Sequence, residues 1–217
     1  LQSISNGIPK LLMPVGSSVY IDILLDKIFK YDFSNVYLSL HYKPELFHEY
    51  IENSIYKSRV TTIIEPSPLG TGGAVNFVIQ NSSISSPYFV MNGDSLSDIN
   101  LDQMIVDFFE RKLIAMIGIS LVKDASRYGT ILEECGIVKS FDEKSVRGRS
   151  WINNGHYIFK KEVFDGFCGA FSLERDLFPK LAEKNRLGAF KVNKDKIIDM
   201  GIAHYYAKLC EKYKGIN

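Results

Sequence analysis

Between Val19 and Ile64 the chain alternates two helical patterns with two β-rich runs, and this alternation narrows the fold more than any other feature. Ile21, Leu24, Leu25, Ile28 and Phe29 recur at helical spacing, and Val36 to Leu40 reads as a strand. Pro44 opens a second helix, through about Ser54, and Val60 to Ile64 is a β-branched strand. Helix, strand, helix, strand argues for parallel pairing with crossover connections. From Tyr128 the pattern changes. Tyr128 to Leu132 and Ile137 to Phe141 read as an antiparallel pair, and Trp151 to Phe159 as a strand interrupted by Asn153-Asn154-Gly155. The expected class is α/β, with a doubly wound first half and an antiparallel β-rich second half that point to one mixed sheet with an inserted hairpin region. A length of 217 residues suits a single domain over 1–217.

In such sheets ligands bind beyond the carboxyl ends of the strands. Tyr88 to Met91 is an apolar strand that ends in Asn92-Gly93-Asp94. One carboxylate at a strand end suits a hard divalent cation such as Mg²⁺, which takes its other ligands from phosphates and water. Capping of the next turn is the competing reading for Asp94. Ile197-Ile198-Asp199-Met200-Gly201 sets a second carboxylate beside a glycine, before a final helix. Pro9 and Pro14 are expected to forbid a helix, hold the chain extended and present Lys10 from a stiff loop, either to phosphate or to water.

Leu69-Gly70-Thr71-Gly72-Gly73 lies after a strand and before a helix expected from Ala74 to about Gln80. Glycines there permit close approach of a ligand to backbone N–H groups, or a tight turn. The run matches neither the Walker pattern nor the dinucleotide fingerprint, which disfavours a Rossmann dehydrogenase. Asp98 reads as a turn or cap residue. Leu173 to about Asn185 reads as a helix, and 190–192 as a short strand.

A net charge of +1 gives no sign of a nucleic-acid or membrane surface. No apolar run nears the roughly 20 residues that span a bilayer. Cys135, Cys168 and Cys210 lack metal or disulfide spacing, which fits a reducing cytoplasm, and His41 and His48 lack ligand spacing.

Taken in order, Pro9-Lys10, Leu69-Gly70-Thr71-Gly72-Gly73, Asn92-Gly93-Asp94, Tyr128-Gly129, Glu143-Lys144, Asn154-Gly155 and Ile198-Asp199-Met200-Gly201 resemble the sugar-1-phosphate nucleotidyltransferase family along essentially the whole chain. Arg127-Tyr128-Gly129-Thr130 and Ser172-Leu173-Glu174-Arg175-Asp176-Leu177-Phe178-Pro179 are similar to stretches of its short members without a C-terminal β-helix, the heptose 1-phosphate guanylyltransferases. The resemblance implies a Rossmann-like three-layer mixed, mainly parallel sheet with an antiparallel β insertion for the sugar, and transfer of a nucleoside monophosphate from a triphosphate, GTP in those members, to a sugar 1-phosphate. A uridylyl-, cytidylyl- or thymidylyltransferase acting on another sugar 1-phosphate is the alternative specificity. A homo-oligomer is left open.

By the same resemblance Asp94 and Asp199 bind Mg²⁺ and Lys10 neutralises phosphate charge. Leu69, Gly70, Thr71, Gly72, Asn92 and Gly93 meet the nucleotide. Tyr128, Gly129, Glu143, Lys144, Asn154 and Gly155 hold the sugar phosphate. Two departures stand out. The family's opening glycine-rich loop is absent, so a first strand and that loop are expected before Leu1. Leu11 replaces the proline usual after the lysine. A binding protein on the same fold is the alternative to an enzyme, and retention of both aspartates favours the enzyme.

Overall fold

The computed structural model describes residues 7–142, 148–192, 197–199 and 203–214, without the side chains of 142 and 197–199. In chain order the elements are β1 (Pro14–Val15), β2 (Ser18–Val19), α1 (Tyr20–Ile28), β3 (Val36–Leu40), α2 (Pro44–Glu52), β4 (Val60–Ile64), α3 (Gly70–Gln80), β5 (Tyr88–Met91), β6 (Ser95–Ser97), α4 (Leu101–Glu110), β7 (Ala115–Val122), β8 (Thr130–Glu134), β9 (Ile137–Asp142), β10 (Ser150–Phe159), α5 (Phe178–Glu183), β11 (Leu187–Val192), β12 (Ile197–Asp199) and α6 (Ala203–Lys212). They group into two compact units. One is drawn from Leu1–Pro68, Gly93–Leu96 and Ile198–Asn217, the other from Leu69–Asn92 and Ser97–Ile197.

The first unit holds the alternating pattern. β3 and β4 pair in parallel, Val36 opposite Val60 through Leu40 opposite Ile64. The apolar faces of α1 and α2 bury Ile21, Leu25, Phe47 and Ile51 with Leu40, Tyr56 and Val60. The Asp22 carboxylate accepts the Val19 N–H at the head of α1, satisfying a donor that the helix leaves open. Pro44 starts α2, where its missing N–H costs nothing.

The second unit is built on a six-stranded sheet in the order β5-β10-β7-β11-β9-β8. β7 and β11 run parallel, whereas β5–β10, β10–β7, β11–β9 and β9–β8 are antiparallel. β8 also pairs with β10, through Trp151 opposite Ile131 and Ile152 opposite Thr130, so five of the strands close on themselves. Ile117, Ile119, Tyr157, Phe159, Leu177 and Phe178 fill the core, and the Tyr157 and Phe178 rings tilt together at 5.3 Å.

The α/β class and the mixed sheet agree with the sequence, but the described pairings lean antiparallel rather than parallel. Crossover helices impose parallel pairing only where they occur, and β8 and β9 are joined directly as an antiparallel hairpin through Cys135 and Gly136. Three local expectations also change. Lys10–Leu12 forms one turn of 3₁₀ helix instead of an extended loop, because Pro9 lies before it and Pro14 beyond it. α3 begins at Gly70, four residues earlier than expected, so the glycine run is its first turn. The 173–185 helix is a wide π turn, Leu173–Leu177, followed by α5, with Pro179 in the first turn of α5 where it removes no intrahelical bond. No described helix is long and apolar enough to cross a membrane.

Candidate active site

In the first unit the 3₁₀ turn carries Lys10 outward. Leu12 N–H donates to the Pro9 carbonyl at 2.9 Å and Met13 N–H to the Lys10 carbonyl at 3.2 Å, which fixes the backbone beneath the ammonium. Lys10 Nζ lies 3.4 Å from Asp94 Oδ2, and both side chains are nearly half exposed. Leu11, where proline was expected, packs against Gly93: a Cβ on Gly93 would sit 3.2 Å from Leu11 Cδ1. The departure therefore braces the lysine turn against the aspartate turn.

β6 starts at Ser95, directly after Asp94, and pairs with β12, which ends at Asp199. Asp94 thus directly precedes one strand of this pair, and Asp199 ends the other. A half-exposed carboxylate beside a second carboxylate-bearing strand fits a hard cation completed by phosphate and water. Among the described residues no group of three metal-ligating side chains occurs, which such a cation does not need.

In the second unit β10 organises the predicted sugar-phosphate residues. One edge of β10 serves two strands in succession: Trp151 and Ile152 pair with β8, and His156 to Phe159 pair with β5. Asn153-Asn154-Gly155 falls between them, where the register against β7 also slips. Gly155 has φ +79°, which an L side chain rarely adopts, and its N–H donates to Asn153 Oδ1 at 2.9 Å. Its carbonyl accepts the Asn92 N–H at 2.8 Å. The structure therefore brings together Asn92 and Gly155, at the carboxyl end of β5 where ligands of such sheets bind.

Tyr128 and Gly129 lead into β8, and Asn153 and Asn154 follow Ile152, which pairs with Thr130 at the start of β8. Asn154 itself turns inward and is 1% exposed. Its Oδ1 accepts the His156 N–H at 3.2 Å, and its Nδ2 donates to Ser120 Oγ at 3.4 Å. Its side chain shapes the bulge, and what the bulge offers outward is backbone. Glu143 and Lys144 lie outside the described residues.

The glycine run has a different basis from the one its sequence suggested. Gly72 and Gly73 N–H groups donate to the Phe171 carbonyl at 3.0 and 3.1 Å. A Cβ on Gly72 would lie 2.1 Å from the Phe171 ring, and one on Gly70 2.7 Å from the Phe171 carbonyl oxygen. Gly72 is buried, Leu69 is 8% exposed, and Gly70 and Thr71 face solvent. Close packing by Phe171, a residue that sequence reasoning passed over, accounts for these glycines. Glu174 was also missed as a contributor. Its motif was visible as a resemblance, and Ser172 ahead of two acidic residues is a helix-start signature.

The nucleotidyl transferase family model matches residues 1–208. The D-glycero-alpha-D-manno-heptose 1-phosphate guanylyltransferase of Campylobacter jejuni is 31% identical over 212 residues, 95% of this chain and 91% of that protein. The protein of that description from Aneurinibacillus thermoaerophilus is 28% identical, with 96% and 90% covered. The crystal structure of HddC from Yersinia pseudotuberculosis complexed with GMP-PN superposes with a TM-score of 0.84 at 30% identity, covering 99% of this chain and 94% of that one. With a family match along nearly its whole length, this chain belongs to the nucleotidyl transferase family.

Proposed function

We propose that this protein transfers GMP from GTP to D-glycero-α-D-manno-heptose 1-phosphate, forming a GDP-heptose and releasing pyrophosphate. The observation that carries the phosphate chemistry is the approach of Lys10 to Asp94, two residues far apart in sequence, at the carboxyl end of a strand. The base and the sugar follow the activity named for the relatives from Campylobacter jejuni and Aneurinibacillus thermoaerophilus. The family match runs through both compact units, and we read residues 1–217 as one nucleotidyltransferase domain.

In the reaction an oxygen of the sugar phosphate attacks the α-phosphorus. The bond from that phosphorus to the bridging oxygen breaks in line, and its electrons leave with pyrophosphate. The nucleophile is already ionised, so no general base is required, and catalysis rests on positioning and charge neutralisation. Asp94 and Asp199 would hold a divalent cation such as Mg²⁺, which when bound would supply charge stabilisation to the phosphoryl oxygens. Lys10 places an ammonium against the triphosphate. Leu69 to Gly72, with Asn92 and Gly93, meet the nucleotide, and the backbone at Tyr128, Gly129, Asn154 and Gly155, with Glu143 and Lys144, receives the sugar phosphate.

The test is a pyrophosphate-release screen of the purified protein against GTP, ATP, CTP, UTP and dTTP, each with a panel of sugar 1-phosphates including the heptose. The expected result is turnover with GTP and the heptose phosphate well above all other pairs. Equal use of UTP, CTP and GTP removes the guanylyl assignment, and no turnover with any pair removes the enzyme.

A further inference from the structure

The Leu69–Gly73 segment is tied to residues 171–174, a hundred positions later, by a ladder of bonds. Phe171 N–H donates to the Leu69 carbonyl at 3.0 Å, and the Phe171 carbonyl takes the N–H groups of Gly72 and Gly73. The last tie is made of side chains. Thr71 Oγ1 accepts the Leu173 N–H at 2.9 Å and donates its own proton to Glu174 Oε2 at 2.7 Å. The same carboxylate oxygen accepts the Ser172 hydroxyl at 2.8 Å. Ser172 Oγ in turn accepts the Glu174 and Arg175 N–H groups, each at 3.2 Å, so the Glu174 backbone is held as well as its head.

This arrangement leaves the N–H groups of Gly70 and Thr71 at the solvent-facing start of α3. Helix-start N–H groups have no intrahelical acceptor and carry the positive end of the helix dipole. Two donors set side by side suit a carbonyl acceptor on a base edge, such as the 6-oxo group of guanine. They do not suit the 6-amino group of adenine.

We propose that Glu174 is a positioning residue for nucleotide selection: through the Thr71 hydroxyl it fixes the Gly70–Thr71 backbone donors that read a 6-oxopurine. The inference rests on the assignment of this segment to the nucleobase. Glu174 touches neither substrate; it sets the position of the groups that do. A hydrogen bond to a charged acceptor is among the stronger ones, and only a carboxylate or an amide at this position can take both hydroxyl protons.

The experiment measures KM and kcat for GTP, ITP and ATP, and KM for the sugar phosphate, in Glu174→Ala, Glu174→Gln, Thr71→Val, Thr71→Ser and Gly70→Ala, with a thermal melt of each. Glu174→Ala and Thr71→Val should each lower kcat/KM for GTP and ITP about tenfold, the factor expected from one such bond, and lower the preference over ATP. The KM for sugar phosphate should hold. Glu174→Gln and Thr71→Ser should recover most of the loss, and the double variant Thr71→Val, Glu174→Ala should lose no more than either single one. Equal losses for all three nucleotides, or none, overturn the role of Glu174. Gly70→Ala separates the two layers, because it disturbs the donors directly. If it shifts the nucleotide preference and the Glu174 variants do not, the strut is wrong. If Gly70→Ala shifts nothing, the segment does not read the base, and the proposal falls with that assignment.

Discussion

The ammonium of Lys10 stands 3.4 Å from the carboxylate of Asp94, with 47% and 42% of the two side chains exposed. At that exposure an ion pair contributes about 0–1 kcal/mol to stability. In the proposed reaction the same pair would face a triphosphate and a cation and act on transition-state charge, where one group is worth several kcal/mol. Lys10→Ala and Asp94→Asn are therefore expected to melt within about 1 kcal/mol of the parent while kcat falls about a hundredfold or more. Asp199→Asn should behave as Asp94→Asn does. Parallel kinetics and thermal denaturation check this, and a variant that unfolds but spares kcat in its folded fraction removes that residue from the mechanism.

What the sequence disclosed follows how local each cause is. The spacing of Ile21, Leu24 and Leu25, the β-branched run Val60–Ile64, and the glycine inside Trp151–Phe159 are local signals, and all three elements formed, although the first helix ends at Ile28 and leaves Phe29 of its stripe at the cap. Lys10 was visible as a lysine on a proline-flanked loop and Asp94 as a carboxylate at the end of an apolar strand, and the structure brings their side chains to 3.4 Å. Hidden were relationships between distant segments. The void over Gly72 belongs to Phe171, and no pattern within 69–73 names its partner. Asn154 was read as facing the sugar phosphate, yet its amide turns to Ser120 and His156, a choice set by how β10 meets β7. The antiparallel β8–β9 pair was legible as a local hairpin, but the pairings of β7 with β10 and β11 were hidden, since alternating runs do not say which edges of distant strands meet.

Gly72 offers a test of packing apart from chemistry. An added Cβ would fall 2.1 Å from the Phe171 ring, which is itself stacked on Phe167 at 4.5 Å and so has little room to yield. Gly72→Ala should cost about 1–3 kcal/mol by overpacking. Phe171→Ala alone should also destabilise, by leaving space unfilled, yet the double variant should recover part of the loss because each change relieves the other. Chemical denaturation of the four proteins gives the coupling, and strict additivity would contradict the contact.

Glu133 is a buried carboxylate, its side chain 3% exposed. Burial alone would raise its pKa. The Lys191 ammonium at 2.5 Å, the Gly136 N–H and the charges of Lys191 and Arg111 outweigh burial and hold it below the usual carboxylate range. A depressed folded-state pKa adds stability above the unfolded value of about 4.3, and that stability drains away as pH falls through the folded value. Glu133→Gln should lose about 1–2 kcal/mol at neutral pH and show a shallower decline in acid. Melting temperatures from pH 7 to pH 3 decide it: if the variant declines as steeply as the parent, Glu133 is not the group responsible.

The alkaline side has its own reporter. The Tyr206 hydroxyl on α6 donates to the Pro14 carbonyl at 2.6 Å, and the Cys210 thiol approaches the same oxygen at 3.9 Å. The far end of α6 seats on Gly16, where a Cβ would lie 2.4 Å from the Tyr213 carbonyl oxygen. This contact ties the last helix to the hairpin that follows the Lys10 turn. Burial, with Cys210 beside it, pushes the Tyr206 pKa up from 10 to about 12. A raised pKa means that the folded state keeps a proton the unfolded chain gives up. The tie therefore contributes fully below pH 10 and weakens as pH rises from 10 toward 12. Tyr206→Phe removes the donor. It should lower stability modestly at neutral pH, by about 1 kcal/mol for one hydrogen bond, and flatten the alkaline limb of the melting curve. Because the Lys10 turn lies only a few residues before Pro14, the variant should also lower kcat at pH 8 while the unaltered Lys10 and Asp94 keep their metal response. An alkaline limb as steep as the parent's would show that the bond to Pro14 is not what holds α6 in place.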